Sequence, residues 1–279
     1  MIKIYLSLVK PGIIMGNALT AAGGFALASK GHFDWRLFWA MLLGQSLIIA
    51  CGCACNNYID KEADQKMART QNRALPKGAV TPGKALCIAV VLGALGIGVL
   101  GGMTNLLALW VALIGFVVYV FFYSFMKYRS HFATLVGSIA GAVPPVIGYA
   151  AACGRIDLQA LLLFAVIACW QMPHFYAIAI YRMEDYAKAS IPVLPIEKGM
   201  QATKVQMLLY ILAFAAASSF LALFGDAGKG YLGLSLLLSL LWAVLCLQGF
   251  KGKSDLLWAK QMFRFSLVVV TGISAALLF

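Results

Sequence analysis

Long apolar runs alternate with short polar breaks along the whole chain. A helix needs roughly 17 to 25 residues to cross a bilayer, and nine runs reach that length, at about 12–29, 37–56, 83–103, 106–126, 132–152, 158–180, 205–224, 230–249 and 262–279. The third and fourth are divided only by Gly101-Gly102-Met103-Thr104-Asn105, a turn signal inside what would otherwise be an over-long span. The pattern predicts an all-α polytopic membrane protein with one transmembrane domain over residues 1–279.

Composition agrees with the pattern. Of the residues 62% are hydrophobic and 11% charged, against a usual charged share of roughly 25% in soluble domains. The first apolar stretch follows Lys3 and Lys10, is long, and has no cleavage site before the polar loop at Lys30, so the amino terminus is expected to stay attached. Counted from the amino terminus, alternate loops hold 18 of the 22 Lys and Arg, leaving Lys30, Arg36, Arg155 and Lys229 on the other side. That bias predicts a cytoplasmic amino terminus in the plasma (inner) membrane and, after nine spans, a carboxyl terminus on the opposite side. The net charge of +12 then needs no nucleic acid to explain it, because topology and anionic membrane lipid account for a basic cytoplasmic face.

Two cytoplasmic loops, about 57–82 and 181–204, hold Asp60, Glu62, Asp64, Glu184, Asp185 and Glu197, six of the ten acids. They follow the second and sixth spans, as if two half-molecules each presented an acidic helix end. In the first loop Asp60 and Asp64 stand four apart, on one face of a continuing helix, with Arg69 and Arg73 a turn or two beyond. Carboxylates and bases so placed suit hard divalent cations held together with a phosphate-rich ligand. A charge run after a span is often only a topological anchor, but acids have no part in that role.

The second acidic segment follows Trp170-Gln171-Met172-Pro173-His174-Phe175-Tyr176. Pro173 removes a backbone hydrogen bond inside a span and is expected to kink it. An indole, an amide and an imidazole inside a membrane are costly unless they have partners or line a pocket. His174 is either a structural histidine bonded to a neighbouring helix or a ligand contact. On a continuous helix it lies about 16 Å from Asp185, at roughly 1.5 Å per residue. The seven cysteines are read as small buried thiols without a disulfide framework or a closed zinc site.

These residues carry a resemblance. The segment from Asn56 through Asp60 and Asp64 to Arg69-Thr70 and Arg73, with Leu75-Pro76 and Gly78, is similar to the aspartate-rich signature of the UbiA-type intramembrane prenyltransferases, as is the Tyr123 and Lys127 pair. Lys10-Pro11-Gly12-Ile13 with Gly16-Asn17, Ala140 to Pro145 with Gly148, and above all Trp170 to Phe175 with Asp185-Tyr186 and Ile191 to Pro195 resemble the protohaem IX farnesyltransferases (haem O synthases) within that group. The resemblance implies nine helices around a central cavity, farnesyl diphosphate at its cytoplasmic end, and protohaem IX as acceptor. It implies Mg2+ held by Asn56, Asp60, Asp64 and Asp185, of which the three aspartates are catalytic. It also implies substrate contacts from Lys10, Asn17, Asn57, Arg69, Arg73, Tyr123, Lys127, Trp170, His174, Phe175, Tyr181 and Lys188, and transient contact with a downstream haem-modifying enzyme or terminal oxidase. The chain departs from the wider pattern at Asn57, where many members have Asp, and at Tyr181, where they have the first of two aspartates. Two other readings stay open: a prenyltransferase of the same fold acting on a quinone precursor such as 4-hydroxybenzoate, and a cation-coupled transporter.

Overall fold

The computed structural model describes residues 2–29, 31–252 and 254–278. Lys30 and Lys253, both counted in the charge bias, and Phe279, the last residue of the ninth expected span, lie outside the described residues. Nine helices among the described residues are long and apolar enough to cross a membrane: α2 Pro11–Ser29, α3 Trp35–Ile59, α5 Pro82–Met103, α6 Leu106–Met126, α7 Ala133–Cys153, α8 Leu158–Tyr181, α11 Gly199–Phe224, α12 Gly228–Gln248 and α13 Asp255–Ala276. Four short helices gather at one end of the bundle: α1 Ile2–Val9, α4 Lys61–Lys66, α9 Met183–Lys188 and α10 Leu194–Glu197. This motif end carries both acidic segments.

The expected spans are all present, and two begin earlier than the apolar pattern suggests. Helix α11 starts at Gly199 and α13 at Asp255, because polar residues near their starts find partners. Lys204 Nζ meets Asp255 Oδ1 at 2.5 Å and donates to the Gly249 carbonyl at 2.8 Å, tying α11 to the α12–α13 turn. The division between the third and fourth spans falls at Thr104. Asn105 accepts from the Ala108 N–H at 2.9 Å, capping α6, and its Nδ2 donates to the Ala150 carbonyl of α7 at 2.9 Å.

Without water in the bilayer, helices associate through close packing and backbone contact. Helix α2 lies on α7, α3 on α5, and α8 among α7, α11 and α13. A Cβ on Gly24 would stand 2.0 Å from the Pro145 carbonyl oxygen, and one on Gly148 would stand 2.0 Å from that of Ala21. Glycine is required at both because α2 and α7 touch backbone to backbone. Pro144, Pro145 and Pro173 all sit inside continuous helices.

Two departures from regular α-helix shape the motif end. Residues Val118–Tyr123 of α6 form a π-helical turn that the apolar pattern does not announce, a feature frequent at functional sites. The Tyr119 carbonyl, which closes this turn with the Ser124 N–H, also accepts from the Ser124 hydroxyl at 3.0 Å. The rod expected from His174 to Asp185 is broken: α8 ends at Tyr181, and Arg182 (φ −115°, ψ 16°) leaves the helical region before α9 begins. The straight-line spacing of about 16 Å expected on a continuous helix therefore does not hold.

The backbone contact predicts a contrast between two glycines. Gly148→Ala should lower stability by about 1–3 kcal/mol, since a carbonyl of a neighbouring helix cannot give way as a side chain would. Gly98→Ala, with nothing within 4 Å of its would-be Cβ, should be neutral or slightly stabilising. Thermal unfolding of both variants in the same detergent checks the pair, and equal behaviour would refute the packing argument.

Candidate active site

Helix α3 ends with Asn56 and Asn57 in its last turn, both 2% exposed. Asp60 stands at the joint to α4, and the Asp64 N–H bonds to the Asp60 carbonyl at 2.8 Å, so the helical path pauses at Asp60 and resumes. Both carboxylates are withdrawn from water, Asp60 at 6% and Asp64 at 1% exposure, and each is met by a cation from another segment. Lys127, at the end of α6, forms an ion pair with Asp60 Oδ2, and the Tyr128 hydroxyl donates to Oδ1 at 2.8 Å. Arg73 Nη1 donates to Asp64 Oδ2 at 2.8 Å and to Asn57 Oδ1 at 3.4 Å. Burial, together with the Asp60 charge, pushes the Tyr128 phenol well above its usual range, so it stays a donor.

The amides extend the network to α1 and α6. Lys10 takes a left-handed backbone (φ 51°) between α1 and α2, and its amine reaches inward to Asn56 Oδ1 at 2.6 Å. Burial pushes that amine down to about 8, Arg73 and Lys127 acting in the same direction and Asp60 against it. Asn56 Nδ2 donates to the Ser124 hydroxyl at 2.9 Å, and Asn57 Nδ2 to the Leu8 carbonyl at 2.8 Å.

The second motif is joined to the first through the 64–73 segment. Asp185, 8% exposed, accepts from the Ala68 N–H at 3.0 Å, with Arg182 Nη1 at 3.9 Å from its other oxygen. Thr70, fully buried, donates to the Asp64 carbonyl at 3.0 Å and fixes the turn that brings Arg73 back. Lys127 lies over the rings of Tyr123 (5.6 Å) and Tyr128 (5.2 Å), while the π-helical turn stacks Tyr119 on Tyr123 at 5.6 Å.

The structure thus brings together Lys10, Asn56, Asn57, Asp60, Asp64, Arg73, Tyr123, Lys127 and Asp185. Arg69 is exposed at the same turn, and its charge reaches Tyr123 and Tyr186. Lys188 is exposed at the end of α9, and Asn17 donates to the Ile13 carbonyl of its own helix at 2.9 Å, so neither is drawn into the cluster. Within the bundle Trp170, His174, Phe175 and Tyr181 form a ring cluster with Phe263 of α13: His174 stacks on Trp170 at 4.9 Å and lies 5.0 Å from Phe263. Tyr119, Ser124, Tyr128 and Ser266 are participants given no role in the sequence reading, and Thr70 was quoted there only as part of the motif. Of the four, only Ser124 and Tyr128 carried a signal, their nearness to the Tyr123 and Lys127 pair.

The donor set is oxygen only, carboxylates and amides, which fits a hard divalent ion. Among the described residues no three His, Cys, Asp or Glu come together. Magnesium is usually held by one or two carboxylates plus substrate phosphates, a number that Asp60 and Asp64 can supply without Asp185.

The UbiA prenyltransferase family matches residues 17–268. A protein named protoheme IX farnesyltransferase from Protochlamydia amoebophila (strain UWE25) is 50% identical over 279 residues, covering 100% of this chain and 99% of that one. One of the same name from Edwardsiella ictaluri (strain 93-146) is 50% identical over 275 residues, covering 98% and 93%. Among solved structures, a UbiA homologue from Archaeoglobus fulgidus bound to DMAPP and Mg2+ superposes with a TM-score of 0.75 at 15% identity, covering 99% of each chain. A digeranylgeranylglyceryl phosphate synthase does so at 0.80 and 18% identity, covering 99% and 97%.

The pairing of buried charges yields a test. Arg73→Ala leaves Asp64 without its cation and should cost about 3 kcal/mol of stability, whereas Arg73→Gln combined with Asp64→Asn should recover most of it. Unfolding of the single and double variants measures the coupling, and additive losses would show that the pair is not coupled.

Proposed function

The chain belongs to the UbiA prenyltransferase family, and we propose that it transfers the farnesyl group of farnesyl diphosphate to a vinyl group of protohaem IX, with addition of water, giving haem O and diphosphate. The observation that carries this reading is a buried acid cluster, already met by Lys10, Arg73 and Lys127, in the same bundle as the imidazole and ring cluster of α8 and α13. The relatives named protoheme IX farnesyltransferase support the acceptor, and the Archaeoglobus homologue bound to DMAPP and Mg2+ supports a prenyl diphosphate with a divalent ion.

Asp60, Asp64, Asp185 and Asn56 would hold Mg2+. When bound, it supplies charge neutralisation for the departing diphosphate. Lys10, Arg69, Arg73 and Lys127 take phosphate oxygens, with Lys188 at the rim. A polyanion beside Lys10 favours the protonated amine, opposing the burial that depresses it. Tyr119 and Tyr123 present stacked faces next to Lys127, and with Phe175 and Tyr176 they stabilise allylic positive charge and exclude water. The allylic carbon–oxygen bond breaks with its electrons leaving on diphosphate, and the terminal vinyl carbon bonds to farnesyl C1. Water then adds to the carbon next to the porphyrin and loses a proton. The excess of basic residues in the loops at this end supports a cytoplasmic motif end and a plasma-membrane location.

Asp60→Asn and Asp64→Asn should each abolish farnesyl transfer to haem while the protein still inserts in the membrane. Full turnover of both variants at saturating magnesium would remove the metal assignment. Arg69, exposed and without an ion pair among the described residues, isolates diphosphate binding from folding. Its change to Ala should weaken farnesyl diphosphate binding by about 1.5–3 kcal/mol at unchanged thermal stability, as measured by titration calorimetry.

A further inference from the structure

We propose that Ser266 is a positioning residue for the haem acceptor: it fixes His174 as the Nδ1–H tautomer and leaves Nε2 as a bare lone pair, the axial ligand for the acceptor's iron. The inference rests on the haem reading above and deepens it by naming the ligating atom and the group that sets it.

The argument is one of proton accounting. The Ser266 hydroxyl of α13, fully buried, lies 2.6 Å from the Phe263 carbonyl and 2.7 Å from His174 Nδ1. A hydroxyl has a single proton and a carbonyl can only accept, so the Ser266 proton goes to Phe263. His174 Nδ1 must then be the donor to Ser266 Oγ. A neutral imidazole has one N–H, which leaves Nε2 unprotonated. Nε2 has no hydrogen-bond partner among the described residues, and His174 as a whole is half-buried.

The ring is also held against rotation. Trp170 stacks on one side, Phe263 lies on another, and the Trp170 indole N–H donates to the Ser266 carbonyl at 2.8 Å. One serine therefore fixes the indole through its backbone and the imidazole through its side chain. Metal-ligating histidines commonly donate their other N–H to an oxygen that sets tautomer and orientation, and Ser266 Oγ occupies that place. Ligation donates the Nε2 pair to iron with no bond broken and no change of oxidation state. The porphyrin is then anchored at its centre, so its vinyl edge is brought to a fixed point for attack on farnesyl C1.

The test is titration of haem into the full-length protein in detergent, followed by absorption spectroscopy in the ferric and ferrous states, with farnesyl diphosphate binding and turnover measured in parallel. Wild type should give a histidine-ligated haem spectrum that His174→Ala loses. Ser266→Ala keeps the backbone carbonyl that holds Trp170, so it should weaken haem binding about five- to tenfold and lower kcat, leaving magnesium-dependent farnesyl diphosphate binding unchanged. Ser266→Thr, which keeps the hydroxyl, should restore both. A histidine-ligated spectrum in His174→Ala, or wild-type haem affinity and turnover in Ser266→Ala, would overturn the proposal. So would loss of farnesyl diphosphate binding in Ser266→Ala, which marks a structural role. If the wild type farnesylates haem without a histidine-ligated spectrum, the ligand assignment falls and the acceptor reading stands; if it neither binds nor farnesylates haem, the acceptor reading itself falls.

Discussion

The motif end depends on partnering carboxylates that are withdrawn from water where a membrane span ends. A carboxylate withdrawn from water without a partner protonates or costs several kcal/mol. Asp60 and Asp64 avoid this through Lys127 and Arg73, which come from distant places in the chain. Their pairing draws together the end of α3, the turn after α4 and the end of α6. Asp185 then captures the Ala68 N–H, joining the second half of the molecule to the first. The same contacts gather several cations at one point before any ligand arrives, so a polyanion meets a site whose bases are already in place.

Inside the spans the corresponding constraint is on the backbone, since water cannot satisfy loose carbonyls there. The protein answers it locally. Ser124, whose N–H closes the π-helical turn of α6 on the Tyr119 carbonyl, donates its hydroxyl to the same carbonyl and, with its own oxygen, accepts from Asn56. A defect in one helix is thereby converted into a support for the first acidic motif. Gly24 and Gly148 act in another way, letting α2 and α7 approach until carbonyl oxygens are their nearest neighbours.

The spans were legible in the sequence because lipid leaves one dominant pattern to read, uninterrupted apolar length. The acid motif was legible because acids do nothing for topology, so their presence calls for another explanation. Span starts at α11 and α13 were not, since Lys204 and Asp255 look like loop residues until their pairing across helices is seen. Nor was the π-helical turn, whose sequence Val118–Tyr123 is as apolar as regular helix around it. Ser266 was invisible for a different reason: 92 residues separate it from His174, and a lone serine in a span carries no local signature of its partner.

Polar groups on α8 bear on the choice of acceptor in a way their identities alone did not. A 4-hydroxybenzoate offers a carboxylate and a phenol, and it would need donors from the stretch Trp170 to His174. The indole N–H is committed to the Ser266 carbonyl, the imidazole N–H to its hydroxyl, and the Gln171 amide donates to the Ser138 carbonyl at 3.4 Å. Gln171 keeps a second N–H, while a bare His174 Nε2, in the tautomer proposed above, repels a carboxylate and suits iron. A coupling-ion transporter would instead need acids near the midplane, and the acids of this chain that have been placed in the site stand at span ends with bases upon them. The polar cluster within the bundle thus has its indole N–H and one imidazole nitrogen already partnered by Ser266 before any acceptor arrives.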